Sequence, residues 1–440
     1  MKMHGWGRFP VLNCETRTVR DEATLSQLVQ ATPLIARGAG RSYGDSALNQ
    51  AMTVSMSRFN HMLDFDPETG YLTVEAGVML ADVVECFVPR GWFPSVTPGT
   101  KFVTVGGMIA ADVHGKNHHG AGAFGNHVEW IDLMTACGEV VRCSRSHEPE
   151  LFFATIGGMG LTGVIVRACF KLIPIESAWI RKNTVIARDL DEVMDGFEAA
   201  ADWTYSVAWI DCLASGAQLG RSLIYLGEHA KLDELDAAKR ADPLRIPKSR
   251  AIRVPIDAPS WILNALTMRS FNSFYYWYGK RGVGEHLVDW NSYFYPLDSV
   301  LEWNRVYGRR GMVEYQCVIP KAASREGIAA ILKETSAAGQ GSFLAVLKLF
   351  GAQDSVFSFP MEGYTLALDF PATPKVLRLL DRLDRITVEH GGRIYLVKDS
   401  RISRDTFEAT ESRAEYFRRF RQDHGMTDHF SSGQSQRLAL

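Results

Sequence analysis

The chain lacks the features that mark several large protein classes. Its seven cysteines, Cys14, Cys86, Cys137, Cys143, Cys169, Cys212 and Cys317, are odd in number and never form a CxxC pair. That excludes a disulfide framework or a cysteine zinc knuckle and fits free thiols in a reducing compartment. No apolar run approaches the roughly 18 residues of a membrane span. The opening MKMHGWGRFP has no signal-peptide core, so the cytoplasm is the expected location. Neither sign of charge prevails: Lys+Arg 48 against Asp+Glu 50 leaves a formal net charge of -2. No overall field recruits nucleic acid, and none is expected as a partner. Repeats and low-complexity tracts are missing too, which removes solenoids and disordered tails.

What remains is a globular composition, 46% hydrophobic and 22% charged over 440 residues, enough for two domains or one large composite. To about Pro174 the chain is dense in glycine. Short β-like runs occur at Tyr71–Ala76 (YLTVEA) and Gly163–Ala168 (GVIVRA), with helical stretches over Ala81–Phe87 and His147–Thr155. From about Glu176 longer amphipathic segments take over, Asp189–Ala201 and Pro374–His390 among them, and the change predicts a domain boundary. Between Arg245 and Arg281 the cations Arg245, Lys248, Arg250, Arg253, Arg269, Lys280 and Arg281 surround Trp261, Phe271, Phe274, Tyr275, Tyr276, Trp277 and Tyr278. This mixture suits an element lying at lipid headgroup level. It equally suits a core-facing helix with a solvated basic edge.

Three glycine-rich elements follow one another in the first 165 residues. In RGAGRSYGDSALN (Arg37–Asn49), Gly38, Gly40 and Gly44 allow close backbone approach and can present N–H groups to an anion. The spacing is not that of a Rossmann dinucleotide fingerprint, because Gly44 comes one place late. Next, TPGTKFVTVGG (Thr97–Gly107) runs into MIAADVHGKNHHGAGAFGNH, where His114, Lys116, His118, His119 and His127 cluster. Adjacent His118 and His119 point apart on a regular element and no cysteine or carboxylate pair completes a ligand set, so no metal is expected. A phosphate-binding or flavin-facing loop accounts better for the glycines and the cation. Third, LFFATIGGMGLTGV (Leu151–Val164) reads as helix, glycine turn and strand.

Taken in order, GWGRFP, RGAGRSYGD, TPGTKFVTVGG, HGKNHHGAGAFGNHV, LFFATIGGMGLTG, FYPLD (Phe294–Asp298) and GGRIYLVKDSR (Gly391–Arg401) resemble the vanillyl-alcohol-oxidase-type FAD-binding family. More narrowly, they resemble the decaprenylphosphoryl-β-D-ribose oxidases of bacterial arabinan and cell-wall biosynthesis. The resemblance implies an α+β fold: a two-part FAD-binding domain with an inserted antiparallel-sheet substrate domain. The implied boundaries are 1–176 for the FAD-binding domain, 177–392 for the substrate domain and 393–440 for a segment that completes the first.

It also implies that the FAD pyrophosphate is cradled by Ala36, Arg37, Gly38, Ala39, Gly40, Arg41, Ser42, Tyr43, Gly44, Asp45 and Ser46. Further cofactor contacts fall on Gly99, Thr104, Val105, Gly106, Gly107, Ala111, Asp112, Val113, His114, Val164 and Tyr395. Many relatives carry a flavin-linking histidine where this chain has Tyr43, so the FAD is expected to be noncovalent. Lys398 matches the active-site lysine, either as a base of lowered pKa or as a cation stabilising a developing alkoxide. His114, Tyr43 and Lys116 are placed beside the flavin and the substrate entrance, and Gln316, Lys348, Thr365 and Asp369 on substrate-pocket strands. Lys348 suits a substrate phosphate, because an ammonium is a compact point charge.

One departure stands out. Mycobacterial members carry a cysteine in GWNICVDF, the target of covalent nitroaromatic inhibitors; here GYTLALDF places Ala367 there and Thr365 in place of the asparagine. The expected function is FAD-dependent oxidation of the 2'-hydroxyl of a polyprenyl-phosphoryl-β-D-ribose to a ketone. A partner NAD(P)H-dependent keto-reductase would complete epimerisation to the arabinose form, and peripheral membrane contact is expected. The alternatives are a flavoenzyme of soluble polyols or aldonolactones, and a sugar-lipid- or nucleotide-binding protein that has lost catalysis.

Overall fold

The computed structural model describes residues 1–245, 251–259 and 262–440. Lys248, Arg250 and Trp261 of the basic, aromatic segment therefore lie outside the described residues. In the glycine-rich part, β1 (Thr16–Thr18), β2 (Ile35–Arg37) and β3 (Thr53–Ser55) form a small parallel sheet beside α1 (Glu22–Ala31). A larger antiparallel sheet follows, made of β4 (Met62–Phe65), β5 (Tyr71–Glu75), β6 (Trp92–Pro94), β7 (Val128–Met134), β8 (Val140–Ser144) and β9 (Val164–Pro174). Its strand order is β8-β7-β9-β5-β4, and β6 also pairs with β9. YLTVE becomes β5 because its side chains alternate: Leu72 and Val74 are buried while Tyr71, Thr73 and Glu75 face outward. Helices α2 (Leu80–Phe87), α3 (Val105–Ala110) and α4 (Pro149–Thr155) connect these strands.

After Pro174 the chain enters an eight-stranded, wholly antiparallel sheet. Its strands are β10 (Trp179–Ala187), β11 (Tyr205–Ile210), β12 (Ser222–His229), β13 (Gly284–Asp289), β14 (Met312–Pro320), β15 (Ala345–Phe350), β16 (Gly363–Pro371) and β17 (Arg393–Ile394). They run in the order β13-β10-β12-β11-β15-β16-β14-β17. Helices α5 (Leu190–Ala199), α6 (Ala265–Gly279), α7 (Ser324–Ala338) and α8 (Pro374–Glu389) lie between them in sequence. For α8 the local reasons are plain. Thr373 caps the first turn by accepting from Val376 N, Pro374 needs no amide partner there, and Val376, Leu379, Leu380 and Leu383 form one buried stripe.

Arg393 and Ile394 differ from the expected segmentation, since they pair with Val318 and Cys317 at the edge of the large sheet. Beyond them, α9 (Arg404–Thr410), α10 (Ala414–Asp423) and α11 (Gly433–Leu438) return to the N-terminal elements. Leu34 N donates to His429 O and Ser431 N to Leu34 O, while the fully buried Arg421 donates to Leu161 O. One continuous apolar core joins both sheets, with Phe93 of β6 packed against Phe294. No helix among the described residues is long and apolar enough to cross a membrane.

Candidate active site

Between the glycine loops and the large sheet lies a cavity of about 920 Å³. One wall is RGAGRSYGD. Tyr43 N donates to Val397 O, Gly7 N to Tyr43 O and Trp6 N to Ser42 O, so the N-terminus and the YLVKDS segment brace this loop from both sides. Arg41 stacks its guanidinium 4.1 Å from the Trp6 ring centre and donates to Phe102 O. Among the described residues the amides of Ala39, Gly40, Arg41 and Ser42 find no protein acceptor, although all four residues line the cavity. On residues that are exposed or half-buried at the cavity wall, these free amides form an arc suited to an anion.

The second wall is TPGTKFVTVGG. It is clamped by Asp298 of FYPLD, which accepts from Thr100 Oγ1 at 2.7 Å and from Lys101 N at 2.8 Å. Gly38 and Thr104 meet where the two loops touch; a Cβ on Gly38 would sit 2.1 Å from Thr104 Oγ1. The third wall is the face of the large sheet. Strand alternation puts Glu314 and Gln316 of β14, Ala367 and Asp369 of β16, and Val346 and Lys348 of β15 on that face. Cys317 points to the opposite face, buried with its thiol pushed up to about 12, and does not replace the missing pocket cysteine.

The charged centre of this face is a cluster of three groups. Lys398 Nζ lies 2.8 Å from Glu314 Oε2 and 4.1 Å from the centre of the Tyr43 ring. Asp369 sits directly across the strand pair from Glu314. Burial, and then the neighbouring Glu314 charge, push the Asp369 carboxyl well above the usual carboxylate range, against the pull of Lys398; Asp369 Oδ1 has no partner. Asp369 therefore holds its proton more tightly than an ordinary carboxylic acid, which favours donation to a ligand. Tyr43 is buried, and its phenol is held well above its ordinary value by burial and by the Asp369 and Glu314 charges.

His114 is enclosed by Phe350, Phe359 and Tyr395. Burial, followed by the Lys348 charge, lowers its pKa well below the ordinary value, so the ring is neutral. The Gln316 amide donates to His114 Nε2 and to Thr365 Oγ1, both at 3.1 Å, which leaves His114 Nδ1 as the protonated, unpartnered nitrogen. Thr365 thus supports the cavity from behind. Tyr395 donates its hydroxyl to Ala111 O, tying the C-terminal strap to the second loop.

Lys116, Lys182 and Lys348 also line the cavity, Lys116 close enough to the other two to feel their charges. Burial and the mutual repulsion of these cations lower Lys116 to about 7; burial and the Lys398 charge lower Lys348 to about 8. Lys116 donates to Tyr293 O and lies over that ring.

Of the residues assigned from sequence, Ala36, Gly38 to Tyr43, Ser46, Gly99, Thr104, Gly106, Gly107, Ala111, Val113, His114, Lys116, Gln316, Lys348, Asp369, Tyr395 and Lys398 line this cavity. Others stand behind it. Arg37 donates to His4 O, Asp45 pairs with Arg437, and Asp112 accepts from Gly125 N and Gln353 Nε2. Gly44 packs against Asp399, whereas the Val105 and Val164 side chains turn into the core. Glu314 and Lys182 are the additions. Glu314 stands two places before Gln316 in EYQCVIP, so period-2 alternation from Gln316 places it on the same face. Lys182, in a polar stretch of an edge-proximal strand, carries no comparable signal.

These residues fit FAD: an arc of unspent amides, glycines where a Cβ would collide, and an unpartnered buried imidazole nitrogen beside the sheet. Comparison with known proteins agrees. Residues 17–144 match the family described as an FAD binding domain. The chain is 30% identical to L-gulonolactone oxidase of Bos taurus across 37% of its own length and 36% of that protein. It is 29% identical to cytokinin dehydrogenase 3 of Oryza sativa across 37% of its length and 33% of that protein. Fold, loops and cavity therefore define an FAD-dependent oxidoreductase of the vanillyl-alcohol-oxidase type. Within that class, identity reaches 37% with decaprenylphosphoryl-beta-D-ribose oxidase of Mycolicibacterium smegmatis, over 100% of this chain and 97% of that protein. The chain belongs to the decaprenylphosphoryl-β-D-ribose oxidase family.

Proposed function

We propose that the protein oxidises the 2'-hydroxyl of a polyprenyl-phosphoryl-β-D-ribose to a 2'-keto sugar, with FAD held noncovalently. The observation that carries this reading is the cavity lining itself: the cluster of Lys398, Glu314 and Asp369, and beside it Lys116, Lys182 and Lys348, which form no ion pair among the described residues. The first cluster suits a hydroxyl that must lose a proton and the second suits a phosphodiester. FAD, when bound, supplies the acceptor for the two electrons leaving the carbinol carbon.

The chain supplies the rest. Lys398 pairs with a buried carboxylate and lies over a ring face, an arrangement that suits charge stabilisation of the substrate oxygen. The hydroxyl proton passes into the Lys398–Glu314 pair, while Asp369, whose carboxyl is pushed well above the usual carboxylate range, orients the sugar through a hydrogen bond. Tyr43 supports noncovalent attachment, because a buried, protonated phenol is a poor nucleophile. The 2'-keto product would be reduced by a separate NAD(P)H-dependent enzyme, completing an epimerisation in arabinan and cell-wall formation.

The test is anaerobic absorbance before and after a polyprenyl-phosphoryl ribose is added. A flavin band that bleaches, and that acid releases from the protein, is the expected result. A band that stays with this substrate but bleaches with a free polyol would move the enzyme to the soluble-polyol reading.

A pH dependence follows from the cations. Lys348 is depressed to about 8 in the free protein, so it loses charge as pH rises through that value, whereas a bound phosphate favours the protonated form. Substrate affinity is therefore expected to fall by roughly tenfold between pH 7 and 9, about one unit of linked titration. In Lys348→Met the slope is expected to become shallower, the remainder coming from Lys116, as read by flavin-difference titration. An unaltered slope would remove Lys348 from phosphate binding.

A further inference from the structure

The 15-residue helix α6 presents three faces, and only two are accounted for by the fold and the cavity. Met268, Asn272 and Tyr276, spaced by four, are buried. Asn272 donates to Asp211 Oδ1 and Tyr276 to Ala187 O, which fixes the helix against the large sheet. Phe271 and Tyr275 line the cavity. The third face is not the polar surface that a core-packed helix ordinarily shows to water. Phe274, Trp277 and Tyr278 are 59%, 50% and 58% exposed, and Leu266 is 74% exposed. Phe274 is tilted against Trp277 and stacked on Tyr278, forming a small, half-exposed aromatic plate.

This exposure is local. Half of the large apolar side chains that the described chain exposes fall between Ile252 and Val283. Charge is equally one-sided: α6 contains no acidic residue, and Arg269, Lys280 and Arg281 are exposed on and just after it. Arg281 lies 3.9 Å over the Trp277 ring and Lys280 4.5 Å over that of Tyr276. Nearby carboxylates are already engaged, Glu285 by Arg181, Asp211 by Arg221, and Glu302 by Arg253 and Arg305. Aromatic rings flanked by unneutralised cations complement an anionic bilayer, where rings settle at headgroup depth and cations meet lipid phosphate.

We infer that α6 seats the mouth of the cavity on an anionic lipid surface, so that Phe274, Trp277 and Tyr278 enter the headgroup region while Phe271 and Tyr275 line the passage from lipid to active site. The inference rests on the lipid-linked substrate proposed above and assigns its route: the prenyl chain stays in the bilayer while the sugar phosphate reaches the lysine cluster.

The experiment uses the flavin-loaded enzyme and vesicles of phosphatidylglycerol and phosphatidylcholine, with pure phosphatidylcholine as control. Wild type is expected to float with the anionic vesicles, and Phe274→Ser/Trp277→Ser to bind at least about tenfold more weakly with flavin content and Tm unchanged. The double variant is expected to oxidise a short-prenyl, water-soluble phosphoryl ribose at the wild-type rate, but a long-prenyl substrate in vesicles several-fold more slowly. Equal flotation of variant and wild type, no flotation of either, or a dimer in sedimentation that the same substitutions dissolve would each overturn the inference. Flotation without oxidation of either substrate would leave the lipid contact standing and defeat the substrate reading instead.

Discussion

Lys398→Ala is expected to yield a yellow protein that no longer draws electrons from its substrate. The side chain reaches the cavity from the YLVKDS strap, and its ammonium pairs with Glu314 and lies over Tyr43. Removing it takes away the charge that stabilises the substrate oxygen as its proton leaves. Terms of this kind are worth about 10²- to 10⁴-fold in rate, and the loss is expected in the rate of flavin bleaching. FAD content should hold, because the unspent amides lie on the first loop.

A structural cost accompanies the change. Glu314, whose side chain is only 7% exposed, is left without its cation, at about 1–3 kcal/mol. Adding Glu314→Gln is expected to recover most of that stability and none of the activity. Recovery of turnover by the double variant would mean that the lysine serves packing alone; unchanged bleaching in the single variant would remove it from the reaction.

Gly44→Ala is expected to abolish stable flavin binding although Gly44 does not itself line the cavity. A Cβ there would stand 2.2 Å from the carbonyl oxygen of Asp399 and 2.7 Å from Ser400 Cα. Both are backbone atoms, so no rotamer relieves the contact. The strap cannot easily retreat, since Asp399 accepts from Arg437 and Gln434 and caps the amides of Arg401 and Ile402. The first loop must move instead, breaking the bond from Tyr43 N to Val397 O and turning the amide arc away. Overpacking of this kind costs about 1–3 kcal/mol. The checks are the flavin-to-protein absorbance ratio and Tm with and without added FAD. Full flavin content at an unchanged Tm would show that the loop and strap tolerate separation.

Both variants act at a junction between residues more than 300 positions apart in sequence, which marks the limit of what a one-dimensional reading can resolve. Local rules sufficed for much of the frame. Helices expected over Ala81–Phe87, His147–Thr155, Asp189–Ala201 and Pro374–His390 occur as Leu80–Phe87, Pro149–Thr155, Leu190–Ala199 and Pro374–Glu389. Their apolar spacing, and the caps that Asp189 and Thr373 supply to the last two, are properties of a few adjacent residues. The glycine loops were legible for the same reason: close approach needs a missing Cβ, and that is written in the residue type.

What the loops meet is not written there. Gly38 touches Thr104, Gly44 touches Asp399, and Arg393–Ile394 join the large sheet before the chain returns to the N-terminal elements. Strand pairing decides the chemistry in the same way. Glu314 and Asp369 become an acid pair only because β14 and β16 run antiparallel in a register that sets them face to face. A slip of one residue would turn both to opposite faces of the sheet. The basic, aromatic segment likewise supported two readings until burial separated them, with Met268, Asn272 and Tyr276 turned inward and Phe274, Trp277 and Tyr278 left bare. The sequence by itself determined the cofactor class, because that rests on residue type and on short motifs in a fixed order, while Lys398 was singled out only by what the resemblance implies. Tertiary structure alone decided the partners of that lysine, the raised pKa of Asp369 and the open aromatic face, because proximity and burial depend on how distant strands and helices pack.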